Sequence, residues 1–395
     1  MPETRNIVVL GGSVAGLSAA HYLLKHTLPK LQQVKDVKYE LHIIDQSTHF
    51  WWHISAPRAI VSTKEIKHSD AFVPIMAGFK QYPAFKDAIH FHQGTIEGVH
   101  TALRQVSFKT SDEKVDVLDY YALIIATGIR SPTPLTTLHG DHTVSQKALD
   151  DMNAKLASAK DIVIGGGGPI GVETAGELGA HLKGKAKITL IAGSKKLLPI
   201  LGQKFTDKAQ KQLEKNGVEV KYGVRVKETQ ETSDKRVEVK LDNGESLLAD
   251  VYIPAVGVTP NTEFLPKFLK QENGYVKVNP ATLRVDEAGD KFIYAVGDVA
   301  GVDQGGVLNF FKSFPVAAAN MSHDLCSEAK AGMVPEKRFS RKDSETQLVP
   351  IGAKAGLGAF NGHSVPSMIV KKFKGKDYML SQVPKFTEGK QWSKP

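Results

Sequence analysis

A chain of 395 residues is long enough for two or three domains, and its 41% hydrophobic content is typical of a globular protein. No run approaches the roughly 20 apolar residues that a membrane-spanning helix needs. The chain carries a net charge of +9 and a single cysteine, Cys326, which excludes an intramolecular disulfide and a two-cysteine redox centre.

The first predicted element is a strand over residues 6–10, which leads through a glycine-rich turn into a helix over 15–26. The turn has the spacing of a dinucleotide-binding turn, although serine replaces the usual second glycine. Small residues let the backbone approach a pyrophosphate closely, and the helix start offers free N–H groups and the positive end of its dipole. A turn without a ligand is the alternative. The candidate residues are Gly11, Gly12, Ser13, Val14, Ala15 and Gly16.

A second predicted parallel strand over 39–45 completes a βαβ unit and ends in Asp45. A carboxylate at this point of the pattern accepts hydrogen bonds from an adenosine ribose. Asp45 stands 29 residues after Gly16, later than the usual spacing of about 20, and we interpret the polar stretch 30–38 as the insertion responsible. An exposed carboxylate at a strand end is the alternative for Asp45.

An aromatic loop over 49–58 comes next, and His90 and His92 then alternate on one face of a predicted strand. No third ligand follows at a metal-binding spacing, so we predict no metal site there. The elements predicted in this part of the chain are a strand and turn over 88–96, a hairpin over 104–118, and a buried parallel strand with a small-residue end over 123–128.

A second strand–turn–helix pattern begins about 155 residues after the first, with a strand over 162–164. Here the glycines have the full dinucleotide-binding spacing. Two such turns in one chain indicate two dinucleotides, and therefore electrons passed between them. A ligand-free turn is again the alternative. The candidate residues are Gly166, Gly168, Pro169, Ile170 and Gly171.

From about residue 340 the βαβ rhythm stops, and we expect a separate small β or α+β unit. From Cys326 to the end, 13 Lys and Arg face 6 Asp and Glu, so most of the net charge lies here. Segment 368–374 mixes apolar and basic residues, which suits an anionic membrane surface, but a core strand followed by a basic turn explains it equally. The elements predicted before this region are strands over 187–192, 251–257 and 291–298 and helices over 203–215 and 313–330.

The motifs together resemble the pyridine nucleotide–disulfide oxidoreductase superfamily over residues 6 to about 325. The two glycine turns, residues 126–128, 255–261 and 294–298 occur in the order that this superfamily shows. Within it, the chain most resembles the apoptosis-inducing-factor-like flavoproteins, and among them the ferroptosis-suppressor-like CoQ reductases. Residues 56–59, residues 93–99 and the C-terminal extension carry this finer resemblance.

The resemblance implies an α/β protein with two Rossmann-like domains of the glutathione-reductase-like type, one inserted in the other, and a small C-terminal α+β unit. FAD would occupy the first domain, and NADPH or NADH the second. The expected boundaries are 1–145 and 256–330 for the FAD-binding domain, 146–255 for the NAD(P)H-binding domain and 331–395 for the C-terminal extension.

The resemblance also implies roles for residues around FAD. The first turn would hold the pyrophosphate, Asp45 the adenosine ribose, and the backbone of Ile96 the adenine. Arg58 would contact FAD from the aromatic loop, with an ordinary surface arginine as the alternative. Asp298, which follows Gly297, would hold the ribityl chain. The residues that would cross close to the cofactor are Ala126, Thr127 and Gly128.

The nicotinamide site has its own candidates, Glu173, Lys195 and Gly257. The resemblance places Glu173 at the nicotinamide–flavin contact, and we predict it as the catalytic residue; a helix-start acid stabilised by the dipole is the alternative. A strand ending at Ala192 lacks the acid that an NAD-selective site carries, and Lys195 and Lys196 follow. We therefore predict that NADPH is accepted, alone or alongside NADH, unless these lysines are merely solvated.

The expected activity is hydride transfer from NAD(P)H to FAD and electron delivery to a quinone-type acceptor. Sulfide:quinone chemistry is disfavoured because it relies on cysteines. The alternatives are an oxidoreductase for one particular metabolite and a slow-turnover, flavin-bearing signalling protein. We expect a cytoplasmic location, with or without peripheral membrane contact, and no nucleic-acid partner.

Overall fold

The computed structural model describes residues 2–289, 292–302, 305–341 and 344–395, and these form a mixed α/β architecture. The strands of the described residues are, in chain order, β1 (Glu3–Leu10), β2 (Val37–Asp45), β3 (His49–Trp51), β4 (Phe72–Pro74), β5 (Ile89–His100), β6 (Gln105–Thr110), β7 (Val115–Asp119), β8 (Ala122–Ile125), β9 (Ile129–Arg130), β10 (Asp161–Gly165), β11 (Lys187–Ala192), β12 (Val218–Tyr222), β13 (Val226–Glu231), β14 (Val237–Leu241), β15 (Ser246–Ala249), β16 (Val251–Pro254), β17 (Thr259–Pro260), β18 (Ile293–Ala295), β19 (Gln347–Pro350), β20 (Gly356–Phe360) and β21 (His363–Ser364).

The helices of the same residues range from one turn to 22 residues. The α-helices are α1 (Val14–Tyr22), α2 (Leu28–Leu31), α3 (Ala56–Val61), α4 (His68–Ala71), α5 (His142–Leu156), α6 (Pro169–Leu182), α7 (Gln203–Lys215), α8 (Val307–Glu328), α9 (Ser367–Val370) and α10 (Val383–Thr387). The π-helical segments are Leu23–Thr27 and Lys371–Gly375. The 3₁₀ helices are His53–Ser55, Ile75–Gln81, Pro83–Ala88, Lys267–Leu269, Asp286–Ala288, Asp298–Ala300, Leu380–Gln382 and Lys390–Trp392.

The first sheet has seven strands in the order β18-β8-β1-β2-β5-β6-β7. The five strands from β18 to β5 are parallel, and β6 and β7 continue the sheet as an antiparallel meander. Because β18 pairs with β8, the chain leaves this sheet after β8, builds the second unit and then returns. This topology confirms the predicted α/β fold in which one Rossmann-like unit is inserted in another.

The second sheet has the parallel order β12-β11-β10-β16. The antiparallel meander β13-β14-β15 follows the same plan as the meander of the first unit. Strands β8 and β18 of the first unit and β10 and β11 of the second are buried over most of their length, which explains why these segments are near-continuous apolar runs in the sequence.

Two connections join the units, and they pair with each other through β9 and β17. The Asn261 amide donates to the Thr127 carbonyl at 2.8 Å, and the Thr127 hydroxyl donates to the Asn261 carbonyl at 2.7 Å. The backbone N–H of Asn261 also donates to the carbonyl of Gly128 at 3.0 Å. The point where the chain leaves the first unit is therefore fixed against the point where it returns.

The C-terminal region forms a small α+β unit around the antiparallel sheet β19-β20-β21, as expected. It contacts both nucleotide-binding units. A Cβ on Gly176 of α6 would lie 2.9 Å from Cα of Ile351, so the backbones touch there. On the other unit, the ring of His21 in α1 hydrogen-bonds the carbonyl of Thr387 at 3.0 Å, and Trp52 donates to the carbonyl of Tyr378 at 2.8 Å.

Three local expectations differ from the structure. The stretch 30–38 is only partly an insertion, because helix continues from α1 through residues 23–27 to Leu31 and delays the second strand. Helix α8 begins at Val307 rather than near 313, and Pro315 lies inside it. Segment 368–374 is helical, not a core strand, and buries Val370 while Met368 stays exposed. No helix of the described ranges has the length and apolar character to cross a membrane.

Candidate functional site

A cavity of about 690 Å³ opens at the carboxyl ends of the parallel strands of the first sheet. This is the edge at which open α/β sheets bind ligands. Most of the residues predicted around the first dinucleotide line it together, although they come from five separate parts of the sequence. The predicted residues in its lining are Gly11, Ser13, Val14, Ala15, Asp45, Ile96, Ala126, Thr127, Gly128, Gly297 and Asp298.

The first turn lies against the backbone of the neighbouring strand. Gly11 has a φ of +108°, and a Cβ on it would lie 2.5 Å from the carbonyl oxygen of Ala126. A Cβ on Gly16 would lie 1.8 Å from the carbonyl oxygen of Gly11. Side chains at these two positions would push the strand and the helix apart, so the turn requires glycine for packing as well as for phosphate approach.

The replacement of the second glycine by Ser13 leaves the helix start open. Ser13 is the N-cap residue of α1, but its side chain makes no capping hydrogen bond. The first helical N–H groups have no partner within the helix and point toward the cavity that Ser13 and Val14 line. The Ser13 hydroxyl is therefore not used to cap the helix, and its role at a pyrophosphate stays a prediction.

The distant Gly297–Asp298 pair packs directly on the first turn. A Cβ on Gly297 would lie 2.6 Å from Cβ of Ala15. The Asp298 carboxylate accepts a hydrogen bond from the N–H of Gly306 at 2.7 Å, just before α8. His53, which the sequence did not single out, also lines the cavity, and burial lowers its pKa although Asp298 opposes the shift. The one sequence feature that could have indicated His53 is its position in the aromatic loop before Arg58.

Asp45 fixes the first turn as well as facing the cavity. Its carboxylate accepts hydrogen bonds from the N–H of Gly12 at 2.5 Å and from the N–H of Ser47 at 2.8 Å. Burial raises the pKa of Asp45 to about 6, against the effect of these two donors. Gly12 does not line the cavity among the described residues; it contributes through this hydrogen bond.

These residues fit an FAD molecule. The cradle at the start of α1 offers N–H groups and a hydroxyl to a pyrophosphate, and the glycines leave room for the close approach that it needs. Carboxylates that can accept from sugar hydroxyls, Asp45 and Asp298, stand on either side of that cradle in the cavity lining. The individual contacts remain predictions.

The second turn repeats the geometry of the first. Gly166 has a φ of +130°, and a Cβ on it would lie 2.1 Å from the carbonyl oxygen of Ala255. A Cβ on Gly171 would lie 1.8 Å from the carbonyl oxygen of Gly166. Gly168 is the N-cap of α6, with open space around its Cβ position and Pro169 next to it. The roles predicted for these residues, Ile170 and Gly257 stay predictions.

The end of β11 lies beside an arginine that sequence reasoning missed. Ala192 is fully buried and Lys195 is exposed, so the prediction that Lys195 binds a phosphate stays open. Lys196 instead donates to the carbonyl of Leu201 at 3.0 Å. The side chain of Arg225 crosses Gly193, where an added Cβ would lie 2.7 Å from Cγ of the arginine. The parallel pairing of β11 with β12 brings Arg225 to this position. The sequence alone could not indicate this contact, because it depends on the register of the two strands.

Glu173 is buried on α6 and pairs with the C-terminal unit. Its side chain is 1% exposed, and its carboxylate lies 2.6 Å from Nζ of Lys374. Burial raises the pKa of Glu173 to about 7, with a further increase from Glu177, whereas Lys374 opposes the shift. Glu173 does not line the cavity described above, so its role at the nicotinamide remains a prediction.

Arg58 lies in a second buried ion pair rather than in the cavity lining. Its guanidinium donates to both carboxylate oxygens of Glu177 at 3.0 Å and to the carbonyls of Gly375 and Lys376 at 2.7 and 2.8 Å. The hydroxyl of Tyr378 donates to the same carboxylate at 3.1 Å. The guanidinium is thus occupied by protein groups, and its hydrogen bonds give no support to the FAD contact that the resemblance implied.

One chain thus contains two dinucleotide-binding units, each with its own glycine turn. This is the fold of flavin- and nicotinamide-dependent oxidoreductases. The chain belongs to the pyridine nucleotide-disulphide oxidoreductase family, whose model matches residues 5–321. FAD and NADH or NADPH are the cofactors of this family. The disulphide of the family name has no counterpart in a chain with one cysteine.

Comparisons with known proteins agree with this assignment. The chain is 37% identical to Oxidoreductase phnG of Penicillium herquei, over 99% of this chain and 97% of that protein. It is 24% identical to Ferroptosis suppressor protein 1 of Homo sapiens, over 95% and 94% of the two chains. The sulfide:quinone oxidoreductase of Aquifex aeolicus has a similar fold, with a TM-score of 0.72 and 16% identity over 98% of this chain and 92% of that one.

We expect Gly11→Ala to lose most of its bound FAD and to unfold at a lower temperature. The added Cβ meets the Ala126 carbonyl at 2.5 Å, and alanine disfavours a φ of +108°. The flavin-to-protein absorbance ratio and Tm measure the effect. Gly244→Ala is the matched control, because Gly244 has a φ of +89° but open space around it. A full flavin content in Gly11→Ala would contradict the expected packing.

We expect Arg225→Ala to lower kcat/KM for NADPH by about tenfold, the loss of one charge-assisted hydrogen bond to a phosphate, while kcat/KM for NADH changes less than about twofold. Lys195→Ala should act in the same direction. Exposed Lys185 provides the control, Lys185→Ala. Equal losses for both cofactors in Arg225→Ala would show that this arginine does not read the 2′-phosphate.

We expect the Tm of the wild type to fall relative to that of Glu173→Gln as pH rises from 5 to 8. The folded pKa of Glu173, about 7, lies above its ordinary value of 4.5. Its favourable contribution is therefore complete below pH 4.5 and is lost as pH rises through the folded pKa. Calorimetry at several pH values checks this, with exposed Glu272→Gln as the control. A Tm difference that stays constant with pH would refute it.

Proposed function

We propose that this protein is an FAD-dependent NAD(P)H oxidoreductase that delivers electrons to a quinone-type acceptor. When bound, FAD accepts a hydride from the nicotinamide and releases electrons to a second substrate. The chain supplies two cradles of equivalent geometry, built on Gly11 and Gly166, and a rigid connection between them through Thr127 and Asn261. The quinone, rather than the two cofactors, is the new element of the proposal.

The observation that carries the quinone proposal is the structure of segment 367–375. Some side chains of this segment face solvent, and others point into the protein. Met368, Ile369 and Phe373 are 76%, 48% and 56% exposed, an unusual concentration of apolar surface in one short segment. In the same helical turns Lys374 reaches inward to Glu173 at 2.6 Å.

The exposed side of this segment suits a lipophilic molecule in or beside a membrane surface. Lys371 and Lys372 are exposed between the apolar residues, so the segment combines apolar contact with positive charge. A quinone with an isoprenoid tail offers such contact. Because Lys374 belongs to the same turns, an acceptor bound there would lie next to the residue that holds Glu173.

Glu173 and Lys374 have defined tasks in this proposal. The pair lies near the start of α6, whose first N–H groups face the second cradle. The partly buried Lys374 ammonium holds the Glu173 carboxylate in one orientation, and this group, whose pKa burial raises to about 7, can carry or release a proton there. The resemblance implied Glu173 as the catalytic residue at the nicotinamide–flavin contact, and we propose that it positions the nicotinamide there.

The alternative candidate is an oxidoreductase for one particular organic metabolite. The sequence identity favours it in one respect, since the chain is 37% and 31% identical to the fungal Oxidoreductases phnG and ptaL but 24% identical to human Ferroptosis suppressor protein 1. Those names specify no substrate. Activity on simple quinones separates the two proposals.

The testing experiment reduces the purified flavoprotein anaerobically with NADPH or NADH and then adds quinones with short and long tails. We expect NAD(P)H to bleach the flavin and quinones to restore it. Met368→Ser and Ile369→Ser should raise KM for the long-tailed quinone several-fold and leave flavin reduction unchanged.

Leu103→Ser is the matched control, because Leu103 is 68% exposed on another part of the surface. It should leave KM unchanged for both quinones. A reduced flavin that no quinone reoxidises would refute the proposal and favour the metabolite-specific enzyme. Equal effects of Leu103→Ser and Met368→Ser would remove segment 367–375 from it.

A further inference from the structure

Three histidines and one glutamate meet on one face of the first sheet. In the parallel pairing of β2 with β5, His42 lies opposite His90, and Glu40 and His92 lie two residues away on the same face of their strands. The ring of His42 stacks between the other two rings, with centroid distances of 4.6 Å to His90 and 5.2 Å to His92. The four side chains thus form a single cluster across the strand pair.

Two imidazole nitrogens in this cluster face the same carboxylate oxygen. Nε2 of His90 lies 3.2 Å from Oε2 of Glu40, and Nε2 of His42 lies 3.5 Å from it. Both nitrogens are buried, and among the described residues the Glu40 carboxylate is the polar group that they face. Two buried imidazole nitrogens that converge on one carboxylate oxygen without a well-formed hydrogen bond need an explanation.

The spacing of these three atoms is that of metal ligands. Zinc binds imidazole nitrogen and carboxylate oxygen at about 2.0–2.2 Å, so ligand atoms in a tetrahedral site lie about 3.3 Å apart. The two nitrogen-to-oxygen distances, 3.2 and 3.5 Å, agree with that value. All three ligand atoms lie within 4.8 Å of one another.

The surroundings orient the ligands as outer partners do in metal sites. Nδ1 of His42 hydrogen-bonds Nε2 of His92 at 2.9 Å, and when His42 donates this bond its own Nε2 carries the free lone pair. Lys38 holds the other oxygen of Glu40 at 2.5 Å.

We propose that Glu40, His42 and His90 bind a divalent transition-metal ion of the zinc class, with His92 as the orienting partner of His42. Imidazole and carboxylate ligands without thiolate suit Zn²⁺ and its neighbours in the series. The His90 side chain is 38% exposed, which gives an ion a route from solvent, and a water molecule would complete the coordination. The ion joins β2 to β5, the strands that carry Asp45 and Ile96 into the large cavity.

This proposal departs from the prediction that His90 and His92 have no third ligand. That expectation considered spacing along the chain, whereas the additional ligands come from the adjacent strand, about 50 residues earlier. In the proposed site His92 is a hydrogen-bond partner of the ligand His42 and not itself a ligand.

The test is isothermal titration of the FAD-loaded full chain with zinc chloride, after removal of any affinity tag and dialysis against a chelator. We expect one saturable site in the wild type and a higher Tm with zinc than without. His42→Gln and His90→Gln should abolish the site. His92→Phe keeps the three ligands and should weaken zinc binding by about 10- to 100-fold, the usual effect of losing an outer partner.

His100→Gln is the matched control, because His100 is exposed on the same strand β5 but outside the cluster; it should bind zinc like the wild type. Flavin absorbance and circular dichroism establish that each variant is folded. If His42→Gln does not fold, the test rests on His90→Gln, because the His90 side chain is more exposed than that of His42 and its replacement disturbs packing less. No saturable binding in the wild type, or equal affinity in His90→Gln and His100→Gln, would overturn the proposal.

Discussion

The architecture depends on one steric constraint. In each unit the glycine turn touches the backbone at the end of the strand that lies adjacent in the sheet. In the first unit Gly11 leaves no space for a Cβ beside the Ala126 carbonyl, and in the second Gly166 leaves none beside Ala255. Because strand ends, turn and helix start are in backbone contact, the edge of each sheet presents N–H groups at close range. The large cavity is the space that this contact leaves open.

Buried charge joins the remaining parts to this frame. Glu173 and Glu177 lie one turn apart on α6, and Lys374 and Arg58 neutralise them respectively. Removing one partner of such a buried pair typically costs about 3–5 kcal/mol, because the other charge stays buried without compensation. These ion pairs therefore connect helix α3, the second unit and the C-terminal extension. Each of the three parts needs the others to keep its buried charge compensated. This explains how an extension beyond the family's matched range can be integral to the fold.

This arrangement links the two surfaces at which electrons would enter and leave. Lys374 is fixed from the inside by Glu173, near the start of the helix that serves the second cradle. Its neighbours on the chain, Met368 and Phe373, face outward. The exposed segment is thus connected to α6 through Lys374 and, beside it, through the Arg58–Glu177 pair. The metal-ligand cluster on β2 and β5 would stiffen the opposite side of the flavin unit in the same way.

The sequence predicted best where the relevant contacts are local. The glycine turns, the strands before them and the ends of those strands are contiguous, so periodicity and spacing sufficed to find them. Gly297 and Asp298 were also found, because the superfamily motif is recognisable although its partner Ala15 is far away in the chain. Arg58 shows the limit of a resemblance. Its motif gave no indication that Glu177, 119 residues later, would occupy the guanidinium.

The amino-acid sequence by itself determined the two dinucleotide units, their order and the absence of a cysteine redox pair. Each of these features follows from composition or from a short contiguous motif. Only the tertiary structure decided which charges meet. Strand register placed Arg225 over Gly193 and His42 opposite His90. Folding of the C-terminal extension brought Lys374 to Glu173. Pairings of this kind depend on distances between remote segments, and a linear pattern of residue types does not contain them.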